Sequence, residues 1–515
     1  MRRLLPLPAA AIAAVALLAG CGDSESSTSE LAGLAPPKSV VFVEGAVRPT
    51  GELKSNVDAI AQKVAGIDDL GEFVVEELES SAGDDGEPVD YATEIEPWLG
   101  ERAAVTFERL EDGDLSDPIV AVQSTDAAAT QSFIDDQAAQ SDEPYEDAGY
   151  EGVEYKLGGP DDNAVGIVDD LLLITDGERD FKAAVDAADG ESLADEAGFE
   201  QAISSASQGS LADVYVDVGA LIDQSGDEID PTARQALQNA GIDPSEATAV
   251  ASLLPGTDQV EVQLSSDLGG EQAPSGDASE LLGSLPSTSF AAFAVSGFGE
   301  QLQEAVDTLD EEGIPDSVPP NQLKNGLNAI GIDLDALTGS LQDAGAFAVG
   351  NSESRLEGAL VLTTEGSEAT GAISKLGVLL RGQGVPGVTA LKGKASGFSV
   401  RDEELGEKPL VVAAEGERIA IGYGLPATLA GLAANSGKTL SDNPAYGDAV
   451  AALGKTPISG FADGAAALRL ADSLVPASES GFEEAKQYLR SIEFLALGSA
   501  SEDELATAKL IVGLK

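Results

Sequence analysis

The chain has 515 residues, with 91 acidic and 28 basic side chains, no histidine and one cysteine. Without histidine there is no Ser-His-Asp triad, no Cys-His dyad and no imidazole metal ligand. With one cysteine there is no internal disulfide, no thiolate zinc site and no CxxC redox pair. The length exceeds a single hydrophobic core, so two or more domains are expected. Hydrophobic content of 43% is that of a globular chain, and aromatic content of 4% predicts a core of Ala, Val, Leu and Ile. The net charge of −63 argues against nucleic acid as a partner, since that binding needs clustered Lys and Arg. It argues equally against electrostatic docking on anionic lipid headgroups. It favours solubility, cations as nonspecific counterions and repulsion between copies.

The first thirty residues carry the strongest signal. Arg2 and Arg3 form a basic start, and Leu4 to Leu18 is an apolar run shorter than the roughly 20 residues of a spanning helix. It ends in Leu18-Ala19-Gly20-Cys21. This closely resembles the lipobox of bacterial lipoproteins, in which an aliphatic residue and two small residues precede the acylated cysteine. The resemblance implies a signal peptide over residues 1–20, cleavage after Gly20, and diacylglyceryl attachment at Cys21. The alternative is an ordinary secretory signal with an incidental cysteine. Two acyl chains suffice for stable anchoring where one is marginal. Residues 21–30 are rich in Ser, Asp and Glu and read as a flexible tether. No later segment has 18 uninterrupted apolar residues, so the remainder is expected to be extracytoplasmic and soluble.

Further along, strands are predicted at Val40–Glu44, Ala103–Phe107, Ile119–Val122, Ala164–Val168, Leu171–Ile174 and Val260–Leu264. Several lie 10–15 residues apart across Gly or Asp turns, which favours antiparallel pairing. Helices are predicted at Glu52–Val64, Leu70–Ser80, Asp126–Ala139, Asp180–Ala188 and Ala233–Ala240. Ser124-Thr125-Asp126 supplies cap chemistry for the third of these.

The two halves of the chain can be laid over each other. Val168–Gly177 matches Glu415–Gly424, and Ser192–Asp195 matches Thr439–Asp442, both at an offset of 247. At the same offset Phe199 falls on Tyr446 and Leu211–Val214 on Ile458–Phe461. Ala129-Thr130 matches Ala369-Thr370 at 240, and Pro37 matches Pro286 at 249. The expectation is two related α+β domains, residues 31–268 and 279–515, joined by a Gly-, Pro- and Ser-containing linker over 269–278. Each is expected to be a mainly antiparallel sheet with helices packed on one face.

Leu34-Ala-Pro-Pro, the following Val41-Phe-Val strand and the run of alternating strands and helices resemble an uncharacterised family of large secreted bacterial envelope proteins. That resemblance covers most of residues 31–515 and carries no catalytic residues to transfer.

Four local motifs invite a chemical reading. Leu432–Thr439 ends like a phosphate-binding loop, but the glycine that the backbone cradle needs would stand where Leu432 is. Gly422-Tyr-Gly-Leu-Pro-Ala427 fits a dinucleotide fingerprint, yet Pro426 equally opens a helix. Asp112–Asp117 and Gly159–Asn163 offer hard oxygens to Ca²⁺ without the 12-residue loop and distal Glu. Turns are the simpler reading of all four. Leu425–Ala434 and Ala449–Leu453 are Ala- and Leu-rich and could line an apolar groove, or simply let helix and sheet approach closely.

The expected function is therefore a membrane-anchored, extracytoplasmic lipoprotein with an interaction or envelope-structural role. It is expected not to be an enzyme, with no cofactor and no metal. Its expected partners are the membrane through acyl chains at Cys21 and an envelope protein. The alternative is a carrier for an apolar or amphipathic ligand.

Overall fold

The computed structural model describes residues 29–81, 90–111, 114–141, 143–159, 163–225, 247–267, 276–312, 319, 321–329, 331–350, 356–366, 368–402, 407–433, 437–474, 480–502 and 505–515. The proposed signal peptide, Cys21, most of the linker and the helix expected at Ala233–Ala240 lie outside them. The chain divides into two compact units, residues 1–273 with 501–508 and residues 274–500 with 509–515.

In the first unit a 3-10 turn, Glu30–Leu34, leads into β1 (Val41–Ala46), α1 (Gly51–Ala65) and α2 (Leu70–Ser81). Then come β2 (Leu99–Glu111), β3 (Asp114–Ser124), α3 (Ala127–Gln140), β4 (Tyr145–Tyr150), β5 (Val153–Gly158), β6 (Asn163–Val168), β7 (Leu171–Thr175) and α4 (Glu178–Asp189). A 3-10 turn at Leu193–Asp195 precedes α5 (Ala197–Ser204), β8 (Ala212–Asp217), α6 (Val218–Gln224), β9 (Thr248–Pro255) and β10 (Gln259–Asp267). Among the described residues, neighbours run β4-β5-β6-β7-β3-β2-β1-β8-β9-β10, every pair antiparallel.

The second unit opens with α7 (Ser279–Gly283), β11 (Ser289–Val295), α8 (Phe298–Glu312), α9 (Leu323–Ala329) and α10 (Leu334–Ser340). It continues with β12 (Leu341–Gly350), β13 (Leu356–Thr364), α11 (Glu368–Gly382), β14 (Val388–Ala390), β15 (Ser396–Val400), β16 (Leu410–Glu415), β17 (Arg418–Tyr423) and α12 (Leu425–Leu432). After a 3-10 turn at Leu440–Asp442 come α13 (Pro444–Leu453), β18 (Ile458–Asp463), α14 (Gly464–Leu474), α15 (Ser480–Leu489), β19 (Ile492–Glu502) and β20 (Leu505–Leu514). The antiparallel order is β14-β15-β16-β17-β13-β12-β11-β18-β19, with β20 next to β19. This is the strand order of the first unit, position for position.

The fold class is α+β, antiparallel sheet with packed helices, as the strand spacing implies. One detail differs: helices cover both faces of the sheet centre rather than one. In β3, Ile119 and Ala121 enter one core while Val120 and Val122 enter another. In β7, Leu171 and Leu173 join the first core and Leu172 and Ile174 the second. Phe181 and Ala184 of α4 seal the first, and Phe133 and Ile134 of α3 the second. Side chains on a strand point alternately to opposite faces, so a strand apolar at consecutive positions needs cover on both. The second unit repeats this, with α12 and α13 over Val361 and α11 over Leu362.

Local devices recur at matching places. Ser192 and Thr439 each form a capping box, with Asp195 and Asp442, on a 3-10 turn. Leu193 N donates to Ala35 O and Leu440 N to Leu285 O, both at 2.8 Å. Gly177 and Gly424 stand before α4 and α12 at φ of 137° and 96°, which a side chain would resist. Ser39 Oγ donates to Pro36 O and Ser289 Oγ to Pro286 O, each at 2.7 Å. Hence Pro36, not Pro37, is the counterpart of Pro286. Asp217 and Asp463 each cap the helix that follows, accepting from Ala220 N and Ala466 N. That sets Tyr215, rather than Val214, against Phe461. A slip of one residue moves a strand's side chains to the other face, and only these registers put Phe42 and Ala292 into the corresponding cores.

The few rings carry the deepest packing. Phe199, fully buried, meets Phe42 edge-on at 5.5 Å and Tyr215 at 5.0 Å. Tyr446 and Phe461 form the equivalent pair at 5.3 Å. Burial pushes the Tyr446 hydroxyl up to about 12. Phe199→Ala should cost about 3–5 kcal/mol, the range for a buried Phe truncation, and a urea titration measures it.

Candidate functional site

Of the residues singled out in the sequence, Leu18, Ala19, Gly20 and Cys21 lie outside the described residues. Thr439 is committed to a cap: Asp442 Oδ2 accepts from its N at 2.9 Å and from its Oγ1 at 3.3 Å. Gly422 packs so closely that a Cβ would fall 2.5 Å from Thr428 Oγ1 and 2.7 Å from Gly358 O. Its strand, β17, has antiparallel neighbours on both sides, whereas a dinucleotide fingerprint belongs to a parallel βαβ unit. Asp117 binds Arg109 Nη2 at 2.9 Å. Asn163 is fully buried at the start of β6, and residues 160–162 of its acidic run lie outside the described residues. Among the described residues no group of three or more carboxylates is arranged to hold a metal ion, and no helix is long and apolar enough to cross a membrane.

Two ionic networks distinguish the first unit, one largely buried and one nearer the surface around buried Asp180. In one, Arg102 on β2 pairs through Nε with Glu44 of β1 and reaches Asp213 of β8 at 3.8 Å. Asp213 also accepts from Ser210 Oγ at 2.5 Å and from Ser252 Oγ at 2.6 Å. Each carboxylate is therefore paired or hydrogen-bonded, the condition under which buried charge is tolerated. In the other, Arg109 Nη2 faces Glu108 at 3.3 Å, Asp117 at 2.9 Å and Asp180 at 3.6 Å. Arg179 approaches Glu108 at 3.7 Å and Asp180 at 4.0 Å. Asp180 is 5% exposed and its Oδ1 has no hydrogen-bond partner. Burial, then the neighbouring charge of Asp117, pushes its carboxyl above the usual range; Arg179 and Arg109 only partly offset this.

The second unit keeps one acidic position of these networks, Glu357 at the place of Asp117, paired with Lys408 at 3.0 Å, and is apolar at two others. Glu44 corresponds to Ala294 and Asp180 to Ala427, both buried in its apolar core. The contrast extends to the surface. In the first unit the outer face of α4 is charged: Glu178 bonds Lys182 at 3.0 Å and accepts from Tyr155 Oη at 2.8 Å, and Asp186 accepts from Tyr150 Oη at 2.9 Å. At the positions of Glu178 and Lys182 the second unit has Leu425 and Leu429, exposed on α12; Leu356 of β13 and Tyr423 of β17 are exposed as well. A second apolar strip crosses β11, β18 and β19. Phe293 (46% exposed) sits across from Gly460, which sits across from Leu497 (43% exposed), with Leu495 alongside. Leu497 packs over Gly460, where a Cβ would lie 3.0 Å from Leu497 Cδ1. Since the same topology carries Glu178 and Lys182 at α4, the fold does not require Leu425 and Leu429 at these places. Such patches mark contact surfaces. The sequence flagged Leu425–Ala434 as apolar, but Phe293 and Leu497 look like ordinary core residues until the strand alternation is known.

The Asp180 cluster makes a pH prediction. Its folded pKa lies above its unfolded one, so the folded state holds the proton more tightly. This group's contribution to stability is greatest at low pH and falls as pH rises through the carboxylate range. Asp180→Asn should therefore raise the melting temperature at neutral pH, and its advantage should shrink on acidification. Thermal melts from about pH 4, near an ordinary carboxylate pKa, up to about pH 7 test this.

Comparison with known proteins gives a family and a remote structural likeness. No curated protein matches the chain. Among solved structures, one described as crystal form I of TP0453 aligns at 12% identity, covering 48% of this chain and 81% of that one, with a TM-score of 0.25. Crystal form III of TP0453 aligns at 9% identity over 78% and 97%, with a TM-score of 0.16. Residues 74–514 match the model described as "Protein of unknown function (DUF3352)". The chain thus belongs to the DUF3352 family of proteins of unknown function.

Proposed function

We propose that this protein is a lipid-anchored, extracytoplasmic envelope lipoprotein whose body is two copies of one α+β domain and whose role is interaction rather than catalysis. The observation that carries the anchor is Leu18-Ala19-Gly20-Cys21, which places the chain's one cysteine directly after an apolar run and two small residues. The shared strand order, capping boxes and Ser-Pro contacts support descent of both units from one domain. The exposed side chains of Leu425 and Leu429 on one side of the sheet, and of Leu356, Phe293 and Leu497 on the other, support contact surfaces on the second unit. The polar counterparts of Leu425 and Leu429 in the first unit, Glu178 and Lys182, fit a copy kept for its scaffold.

In the proposed arrangement, acyl chains on Cys21 hold the protein at the membrane and the Ser- and Glu-rich segment after it sets the stand-off. Cys21→Ser should move the protein from the detergent phase to the aqueous phase on detergent phase separation, or leave the signal peptide uncleaved. Unchanged partition into the detergent phase would overturn the lipoprotein reading.

A further inference from the structure

Charge is distributed unequally between matching segments of the two units. In the first unit, α3, β4 and β5 span residues 127–158, which contain eight acidic residues and one lysine. In the second unit, α11, β14 and β15 occupy the same places in the topology. There residues 368–400 contain Lys375, Arg381, Lys392 and Lys394 and one acidic residue, Glu368, and Arg401 follows directly. In a chain carrying 91 acids and 28 bases, this is a local reversal of sign.

The reversed segment faces solvent. All five basic residues are exposed. Among the described residues, no ion pair joins Lys375, Arg381, Lys392 or Lys394 to a carboxylate; Lys375 Nζ donates to Gly331 O at 2.8 Å. Lys375 and Val378 lie three residues apart on α11 and are neighbours on its surface, and Arg381 stands in its last turn. The opposite side is anchored: Ile373 is buried, and Gly377 lies so close to β15 that a Cβ would come 2.8 Å from the Phe398 ring. Val378, 61% exposed, is the most exposed large apolar side chain among the described residues, and Val385 beyond the helix is 39% exposed. Lys392 and Lys394 stand in the turn between β14 and β15, and β14 is the edge strand of its sheet. One border of the second unit thus presents cationic side chains with apolar groups between them.

We propose that this border is a docking surface for anionic lipid headgroups. Lys and Arg supply attraction to the negative surface, while Val378 and Val385 are placed to enter the headgroup region. The −63 charge of the whole chain opposes binding in any other orientation, so attraction confined to one border also orients the molecule. Exposed valines between the cations favour a membrane interface over a purely ionic partner. The inference rests on the membrane setting proposed above, but its test does not involve the acyl anchor.

The test uses the non-acylated chain starting at Gly22 and vesicle co-sedimentation. Vesicles of equal parts phosphatidylglycerol and phosphatidylcholine are compared with pure phosphatidylcholine. The expected result is binding to the anionic vesicles only, weakened as salt rises from about 50 to about 200 mM. The triple variant Arg381→Glu, Lys392→Glu, Lys394→Glu should lower that binding about tenfold or more, and Val378→Ser with Val385→Ser several-fold. All substituted sites are exposed, and an unchanged melting temperature verifies the fold. Equal binding to both vesicle types, or binding unaffected by the triple variant, would overturn the proposal. So would self-association abolished by that variant without vesicle binding, which would assign the surface to a second copy of the chain. Failure here leaves the Cys21 anchor untouched, because that is read by detergent partition.

Discussion

The architecture depends on strands that are apolar at consecutive positions. Ile119 to Val122 and Leu171 to Ile174 each send alternate side chains into two separate cores. Neither face of the sheet centre can be left to water, so α4 and α5 cover one face and α3 the other. With aromatic content of 4%, area comes from many small aliphatic groups, and a few rings such as Phe42, Phe199 and Phe181 fill the deepest positions. Close approach of helix and strand is the other half of that solution. Gly431 on α12 lies where a Cβ would sit 2.7 Å from Val361.

On this common frame the two units have different chemistry. The first places Glu44, Arg102 and Asp213 inside, and Arg109, Asp117 and Asp180 near its rim. The second fills the corresponding interior with alanine and moves large apolar groups outward. Buried charge networks cost desolvation and give little net stability, though they can fix strand register. The apolar exposure of the second unit has no such structural use. On the function proposed above, the first unit serves as scaffold and the second as contact surface.

Much of the fold was legible in the sequence, and what was not has physical reasons. Apolar strands and amphipathic helices with caps, such as Asp126 before α3, stand out because pattern and cap chemistry agree. The hairpin of β4 and β5 does not, because Tyr145-Glu-Asp-Ala-Gly-Tyr150 is acidic and half-exposed at a sheet border and reads as loop. Cover on both faces was implicit in Leu171-Leu-Leu-Ile but needs the strand neighbours to be seen. The ionic networks were invisible because Glu44, Arg102 and Asp213 meet only through the pairing of β1 with β2 and β8. Single glycines and prolines with motif-like spacing proved to be packing and capping devices. The whole-chain charge hid the basic segment of the second unit, since a sum over 515 residues reports no local sign.

A contact surface and a ligand carrier would both expose apolar groups, but only a carrier retains a molecule through purification. Native mass spectrometry on the chain starting at Gly22, made in its own host and purified without detergent, separates them. The account predicts the mass of the bare polypeptide. A reproducible added mass that extracts into organic solvent would contradict it and make the protein a carrier.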